Sequence, residues 1–168
     1  MQHFQFQTVG NIISGLGSIS ELKTVLTEKN YKRLLLVTDA GILQQQLHQP
    51  ILEILKQLQL DYAIYSNVQA DPAEQIVLEA VDFAKQQNID VVLGFGGGSA
   101  MDVAKIIAVL SHPAQTQQLS DLYGVGNAKA PRLPLILVPT TAGTGSEVTP
   151  ISIVTTGATS KTGIVSPI

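Results

Sequence analysis

VVLGFGGGSAMDVAKIIAVL, residues 91–110, predicts a short buried strand, a glycine turn and a buried helix. Unbroken apolar runs of this length are typical of strands covered on both faces of a parallel sheet. The helix that follows Ser99 is apolar nearly all round, which predicts a central position in the fold. Ser99 and Asp102 have the spacing of a capping pair at its start, with Lys105 as a partner one turn later.

The glycines of this turn also predict a binding site. Three consecutive glycines let the backbone approach a ligand without a Cβ in the way, and the free amides of a helix start favour a phosphate group. The pattern is neither G-x-G-x-x-G nor a P-loop, because position 99 is serine and no Gly-Lys-Ser/Thr follows. A glycine turn needed only for close packing is the alternative.

Strands and helices alternate on either side of this stretch. Ser18 to Glu21 has the spacing of a capping box, and Asp71 to Glu74 combines an N-cap aspartate with a proline and a glutamate. Strands are expected at 33–38, 61–65, 90–95 and 133–138, helical stripes at 19–26, 47–58, 74–84 and 119–123, and hairpin arms at 151–155 and 161–166 around Gly157. We therefore expect an α/β fold with a doubly wound, mostly parallel sheet and a small β-hairpin near the C-terminus. Ligands of such sheets bind at the carboxyl ends of the strands.

Two further segments follow predicted strands. Residues 139–150, PTTAGTGSEVTP, concentrate hydroxyls and glycines that suit ribose, amide and phosphate oxygens, or that simply form a turn capping a helix at Ser146. Asp39 can accept hydrogen bonds from both hydroxyls of an adenosine ribose and repel a 2'-phosphate, which favours NAD over NADP. Asp39 is equally readable as the N-cap of a short helix over 41–46.

Composition excludes several classes of protein. The chain has 168 residues, no cysteine and a net charge of -3, so it offers neither the basic footprint of a nucleic-acid binder nor thiolate chemistry. It lacks an apolar run long enough to cross a bilayer, and its polar first residues do not resemble a signal peptide, so we expect a cytoplasmic protein without a membrane partner. His3, His48 and His112 show no paired helical spacing and are expected at the surface.

The motifs resemble those of the iron-dependent (group III) alcohol dehydrogenases, relatives of glycerol dehydrogenase and dehydroquinate synthase. The resemblance rests on residues 96–105, 139–149 and 161–164, with Gly10 to Leu22 and Asp39 also in register. It implies a Rossmann-like domain over 1–168, of the dehydroquinate synthase type, that binds NAD. The implied cofactor contacts are the pyrophosphate at Gly97, Gly98 and Ser99, the adenosine ribose at Asp39, the phosphate and nicotinamide side at Thr140, Thr141, Thr144 and Thr149, and the nicotinamide ribose at Lys161. Asp71 stands before Pro72, where the family usually has an asparagine associated with the cofactor region, and we interpret it mainly as an N-cap.

The same resemblance implies a divalent metal, iron or zinc, held by one aspartate and three histidines on a following helical domain that this sequence, ending at Ile168, does not contain. The expected function is the NAD(H)-binding domain of an enzyme that interconverts a small alcohol and its aldehyde or ketone, as a possible homo-oligomer. The chain alone is expected to be inactive, with no catalytic or metal-ligating residue of its own. A stand-alone nucleotide-binding or assembly module is the alternative, and a small-molecule kinase loop at 139–146 is a weaker one.

Overall fold

The computed structural model describes residues 8–167. Helices and strands alternate along most of the chain. A 3-10 turn at Ser18–Glu21 precedes α1 (Leu22–Thr27), β1 (Arg33–Asp39), α2 (Ala40–Gln44), α3 (Gln49–Gln57), β2 (Asp61–Val68), α4 (Glu74–Gln86), β3 (Val91–Gly96), α5 (Gly98–Leu110), α6 (Leu119–Leu122), β4 (Gly124–Val125), β5 (Leu135–Pro139), β6 (Ile151–Thr156) and β7 (Ser160–Val165).

The main sheet is parallel and has the strand order β2-β1-β3-β5. One of its faces packs against α1 and α3 through Leu34, Leu36 and Leu93. The opposite face packs against α4 and α5 through Leu35, Val37 and Val92. The sheet is therefore doubly wound, as the alternating pattern predicted.

Helix α5 is the centre of the second core. Nine of its residues are buried, and only the polar positions Asp102 and Lys105 and the first turn are partly exposed. Gly94 of the facing strand β3 is required for this packing, because a Cβ there would lie 2.8 Å from Ala104 Cβ and 2.9 Å from Leu137 Cδ2. The prediction of a central helix is confirmed.

The C-terminal hairpin is also confirmed. Strands β6 and β7 pair antiparallel, with Ile153 opposite Gly163, and Gly157 in their turn has a φ of 62° that favours glycine. The short strand β4 adds to β7 in parallel, which the sequence did not indicate. Strand β5 differs from expectation, because Leu135 to Val138 are half-buried where a fully buried strand was predicted. In the described chain β5 is an outer strand of the sheet, so its faces are incompletely covered.

Three predicted helix starts are wrong. Gly17, not Ser18, caps the 3-10 turn, and Ser20 rather than Ser18 hydrogen-bonds back to Gly17 O at 3.0 Å. Helix α4 has Ala73 at its N-cap position without a side-chain cap, so Asp71 and Pro72 lie before the helix. Helix α5 has Gly97 at its N-cap position, again without a side-chain cap, so Ser99 and Asp102 lie inside the helix.

Candidate functional site

A cleft of about 550 Å³ opens at the carboxyl ends of β1 and β3. The chain passes from β1 to β2 on one side and then crosses to β3 on the other, so this is the point where the strand order reverses. Open α/β sheets bind ligands at such switch points. We call this cavity the switch-point cleft; its lining includes Asp39, Ala40, Gly41, Ile42, Gln45, Leu47, Val68, Gln69, Ala70, Gly97, Gly98, Ser99, Ala100, Thr140 and Thr141.

The glycine turn brings the start of α5 to the cleft. Gly96 has a φ of 153°, and a Cβ on it would lie 2.9 Å from Ala100 Cβ, so only glycine fits there without strain. Gly97 is extended, with a φ of -76°, and the N-terminus of α5 that it begins has no side-chain cap among the described residues. The amides of the first turn of α5 are therefore open toward the cleft, with the positive end of the helix dipole.

Residues 139–150, which we call the hydroxyl-rich loop, pack directly over this turn. Thr140 N donates to Gly96 O at 2.9 Å, which continues the pairing of β5 with β3 into the loop. A Cβ on Gly97 would lie 3.5 Å from Thr141 Oγ1, and a Cβ on Gly98 would lie 3.2 Å from Thr144 Cγ2. The two glycines and the two threonines therefore share a narrow space that side chains at 97 and 98 would fill.

Asp39 is an N-cap residue, as one of its two interpretations predicted, and it also lines the cleft. It caps α2, because its Oδ1 accepts a hydrogen bond from Ile42 N at 3.1 Å. It also lines the cleft, and its Oδ2 lies 3.4 Å from the place that a Cβ on Gly96 would occupy. The carboxylate is thus fixed in orientation by the cap, with its second oxygen on the side of the glycine turn.

Three predicted residues lie outside the lining of the cleft. Thr144 is on its border, against Gly98. Thr149 lines a second cavity of about 800 Å³ that runs along β5, which we call the β5 groove. Lys161 is exposed at the start of β7, and its Nζ forms an ion pair with Asp71 Oδ1 at 2.6 Å.

Asp71 therefore acts differently from the predicted N-cap. It has a positive φ of 51°, a conformation that aspartate tolerates better than most residues. Its carbonyl accepts a hydrogen bond from Thr155 Oγ1 at 2.9 Å, and Thr155 N donates to Pro72 O at 2.9 Å. These contacts dock the hairpin on the turn after β2, directly beside the Val68 to Ala70 segment that lines the cleft.

Sequence reasoning missed the contribution of β2 to the cleft. Val68, Gln69 and Ala70 line it because β2 is parallel to β1 and ends at the same edge of the sheet. Their position after a predicted strand was a signal, but none of them carries a side chain with distinctive chemistry. Gln45 and Leu47 were missed for the same reason.

A polar cluster inside the α5 core was also missed. Lys105 Nζ and Asp102 Oδ1 are 3.3 Å apart, as the predicted partners one turn apart, but both also contact Ser146 of the hydroxyl-rich loop. Burial lowers the pKa of Lys105, and the neighbouring Asp102 carboxylate opposes that shift. Ser146 is 5% exposed and caps no helix in the described chain.

The histidines differ from expectation at one position. His48 is buried, 7% exposed, at the start of α3, whereas it was predicted at the surface. His112 is half-buried and its Nδ1 accepts from Ala114 N at 3.1 Å, and His3 lies outside the described residues. Within residues 8–167 no group of three or more His, Cys, Asp or Glu side chains is arranged to hold a metal ion. No helix of the described chain is long and apolar enough to cross a membrane.

Comparisons with known proteins find relatives and solved structures that match most of this chain. The chain is 36% identical over 146 residues to the NAD-dependent methanol dehydrogenase of Bacillus methanolicus, covering 87% of this chain and 38% of that protein. A crystal structure of 1,3-propanediol oxidoreductase superposes with a TM-score of 0.90 at 27% identity, over 98% of this chain and 43% of that one. Sulfoacetaldehyde reductase from Bifidobacterium kashiwanohense, solved in complex with NAD+, superposes with a TM-score of 0.78 at 27% identity, over 90% of this chain and 40% of that one.

The chain thus spans about two fifths of the length of the relatives and structures it matches. The model of one family covers residues 10–168, nearly the whole sequence. That family is described as iron-containing alcohol dehydrogenase, and it matches the resemblance carried by the glycine turn and the hydroxyl-rich loop. The chain belongs to the iron-containing alcohol dehydrogenase family.

Proposed function

We propose that residues 1–168 form an NAD(H)-binding domain and that the switch-point cleft holds the dinucleotide. One observation carries the proposal: Asp39, the open amides of α5 and the threonines of the hydroxyl-rich loop border a single cleft at the reversal of strand order. A carboxylate, a phosphate-binding helix start and neutral hydroxyls are the three kinds of group that a dinucleotide needs. The relative solved with NAD+ and the relative named as NAD-dependent support the same cofactor.

The residues present fit this cofactor. Gly97 and Gly98 leave open the space beside Thr141 and Thr144 that a Cβ would fill, so the backbone can receive a pyrophosphate there. Asp39 would accept from the adenosine ribose hydroxyls through Oδ2, since Oδ1 is occupied by Ile42 N. A 2'-phosphate at about 4 Å from that carboxylate would be repelled by at most about 4 kcal/mol at an effective dielectric near 20.

The remaining predicted contacts involve the hydroxyl-rich loop and Lys161. We propose that Thr140 and Thr141, which line the cleft, and Thr144, which lies beside Gly98, contact the phosphate and nicotinamide side of the cofactor. Thr149 and Lys161 lie outside the lining, and Lys161 is already paired with Asp71. Contact from those two side chains would require the cofactor to extend beyond the cleft and, for Lys161, to compete with the ion pair.

In the full enzyme, we propose, this domain takes part in the reversible oxidation of a small alcohol to an aldehyde or ketone. When bound, the nicotinamide supplies the hydride acceptor or donor. The family's divalent metal, iron or zinc, does not fit the residues described here, which offer no cluster of ligands, and we derive no step through it. The chain's own residues would bind and orient the cofactor, and we expect no alcohol oxidation by this chain alone.

Calorimetric titration of the 168-residue chain tests the proposal. NADH should bind more tightly than NADPH, and the variant Asp39→Ser should reduce that preference, because serine keeps a cap for Ile42 N but removes the charge. Asp82→Asn is the matched control, since Asp82 is an exposed acidic residue of α4 that is not among the residues lining the cleft. Equal affinity for NADH and NADPH in the wild type, or tighter binding of ATP with magnesium, would contradict the proposal.

A further inference from the structure

A polar cluster joins α5 to the hydroxyl-rich loop inside an otherwise apolar core. Its members are Asp102, Lys105 and Ser146, and the side chains of the two charged residues are only 13% and 14% exposed. Lys105 Nζ donates to Ser146 Oγ at 2.8 Å and to Asp102 Oδ1 at 3.3 Å. Ser146 Oγ donates in turn to Asp102 Oδ1 at 2.6 Å. We call this cluster the α5 clasp.

The clasp also holds the strand that follows the loop. Asp102 Oδ2 accepts from Ile153 N at 3.0 Å, and Lys105 Nζ donates to Ile151 O at 2.6 Å. Two side chains on adjacent turns of one helix thus fix both the end of the loop and the start of β6. Segments 44 to 51 residues apart in sequence are joined by a few charge-assisted hydrogen bonds.

The clasp lies directly behind the surfaces that form the cleft. Asp102 is one helical turn after Gly98, and Ser146 is two residues after Thr144, whose Cγ2 would lie 3.2 Å from a Cβ placed on Gly98. Ser146 N also donates to Thr144 Oγ1 at 3.4 Å, so the serine is bonded to the threonine that borders the cleft. A shift of Ser146 away from α5 would therefore move Thr144 relative to the glycine turn.

Stability alone is a weak reason for such a cluster. Removing two charges from water is costly, and replacing a buried ion pair with apolar residues of similar size is often neutral or stabilising. Both charged side chains are largely removed from solvent, and this burial lowers the pKa of Lys105. What hydrogen bonds add over apolar packing is a fixed distance and direction between the two segments.

We propose that Asp102 and Lys105 are positioning residues that hold Thr140 to Thr149 over the start of α5 in the arrangement that the nicotinamide half of the cofactor requires. This inference rests on the proposed function. The adenosine ribose would contact Asp39, which ends β1 and is held by its cap on α2, so its orientation does not depend on the hydrogen bonds of the clasp. Disrupting the clasp should weaken binding of the whole dinucleotide and spare binding of adenosine, which has no phosphate.

The experiment compares NADH with adenosine, which keeps the ribose hydroxyls and has no phosphate, by calorimetry on the 168-residue chain. Asp102→Asn and Lys105→Met should each weaken NADH binding at least tenfold and change adenosine binding by less than twofold. Lys85→Met is the matched control, because Lys85 is an exposed lysine of α4, and it should leave both affinities unchanged. Equal losses of NADH and adenosine binding, or no loss of either, would overturn the inference.

The double variant Asp102→Asn/Lys105→Met separates positioning from stability. It removes both charges together and leaves an amide oxygen that can accept from Ile153 N, so thermal unfolding should return toward the wild-type temperature while the NADH affinity stays at least tenfold weaker. Recovery of NADH binding with stability would mean that the clasp is only structural, and would overturn the inference. A wild-type chain that binds neither NADH nor adenosine would overturn the proposed function itself, whereas normal binding with unaffected variants would overturn this inference alone.

Discussion

Gly97→Ala separates ligand binding from folding at the start of α5. The added Cβ would lie 3.5 Å from Thr141 Oγ1 and 3.7 Å from Thr141 Cγ2, which is ordinary van der Waals contact. Gly97 has a φ of -76° and a ψ of -176°, an extended conformation that alanine adopts freely. The free energy of unfolding should therefore change by less than about 0.5 kcal/mol, as for a surface substitution.

The effect on the ligand should be much larger. Gly97 and Thr141 both line the switch-point cleft, so the methyl group would occupy the space between the glycine turn and the loop. If a pyrophosphate approaches the amides there, its displacement would weaken a charge-assisted hydrogen bond by about 1.5–3 kcal/mol. That loss corresponds to a roughly 10- to 150-fold increase in the dissociation constant for NADH.

Calorimetry and thermal unfolding of the same preparation give the two readouts. We expect the midpoint of unfolding to be unchanged without ligand, and the stabilisation by a fixed NADH concentration to be largely lost. Gly41→Ala is a useful comparison, because its Cβ would meet Asp39 Oδ1 at 3.0 Å and so perturb the carboxylate instead of the phosphate site. Unchanged NADH affinity in Gly97→Ala would refute the placement of the pyrophosphate at this turn.

Three further predictions concern stability. Gly94→Ala should lower the free energy of unfolding by about 1–3 kcal/mol, because its Cβ would overlap Ala104 and Leu137. Chemical denaturation measures this change, and an unchanged midpoint would show that the core relaxes around the added methyl group. Thr38→Val should raise the free energy of unfolding by about 1 kcal/mol, because the buried Thr38 hydroxyl has no hydrogen-bond partner among the described residues. A decrease in the free energy of unfolding would indicate that the hydroxyl does have a hydrogen-bond partner. The pKa of Tyr123 is raised by burial and by its hydrogen bond to Glu74. Above pH 10 the unfolded chain therefore loses this proton while the folded chain keeps it, so the free energy of unfolding falls as pH rises. Tyr123→Phe should reduce that loss in denaturation measured between pH 9 and 11, relative to its own value at neutral pH.

The parts of the fold that depend on periodicity and burial were predictable. Strand β1 and helix α5 have unbroken or nearly unbroken apolar sequences, and the structure buries them as expected. Asp39 was predictable for a similar reason, since a short polar residue directly after a buried strand both ends the strand and begins the next helix. Patterns of this kind depend on neighbours within a few positions, which the sequence displays directly.

The helix caps failed because distant partners compete for the same side chains. Asp102 has the right spacing from Ser99, but its oxygens are taken by Ser146 and by Ile153 N, 44 and 51 residues along the chain. Asp71 likewise pairs with Lys161, 90 residues away. A capping motif indicates only which short polar side chain is near a helix start, and tertiary contacts decide which group that side chain finally binds.

The same competition bears on how the cleft would hold a pyrophosphate. Among the described residues that line it, Asp39 has the one charged side chain, and that charge is negative. The cations Lys105 and Lys161 are both engaged elsewhere, in the α5 clasp and with Asp71. Attraction of a phosphate at this site must then come from the backbone amides and the dipole of α5. Backbone donors act only at short range, so the absence of a Cβ at Gly97 and Gly98 and the fixed height of the threonine loop above them would set the affinity. Those are the two features that the glycine substitution and the clasp variants change separately.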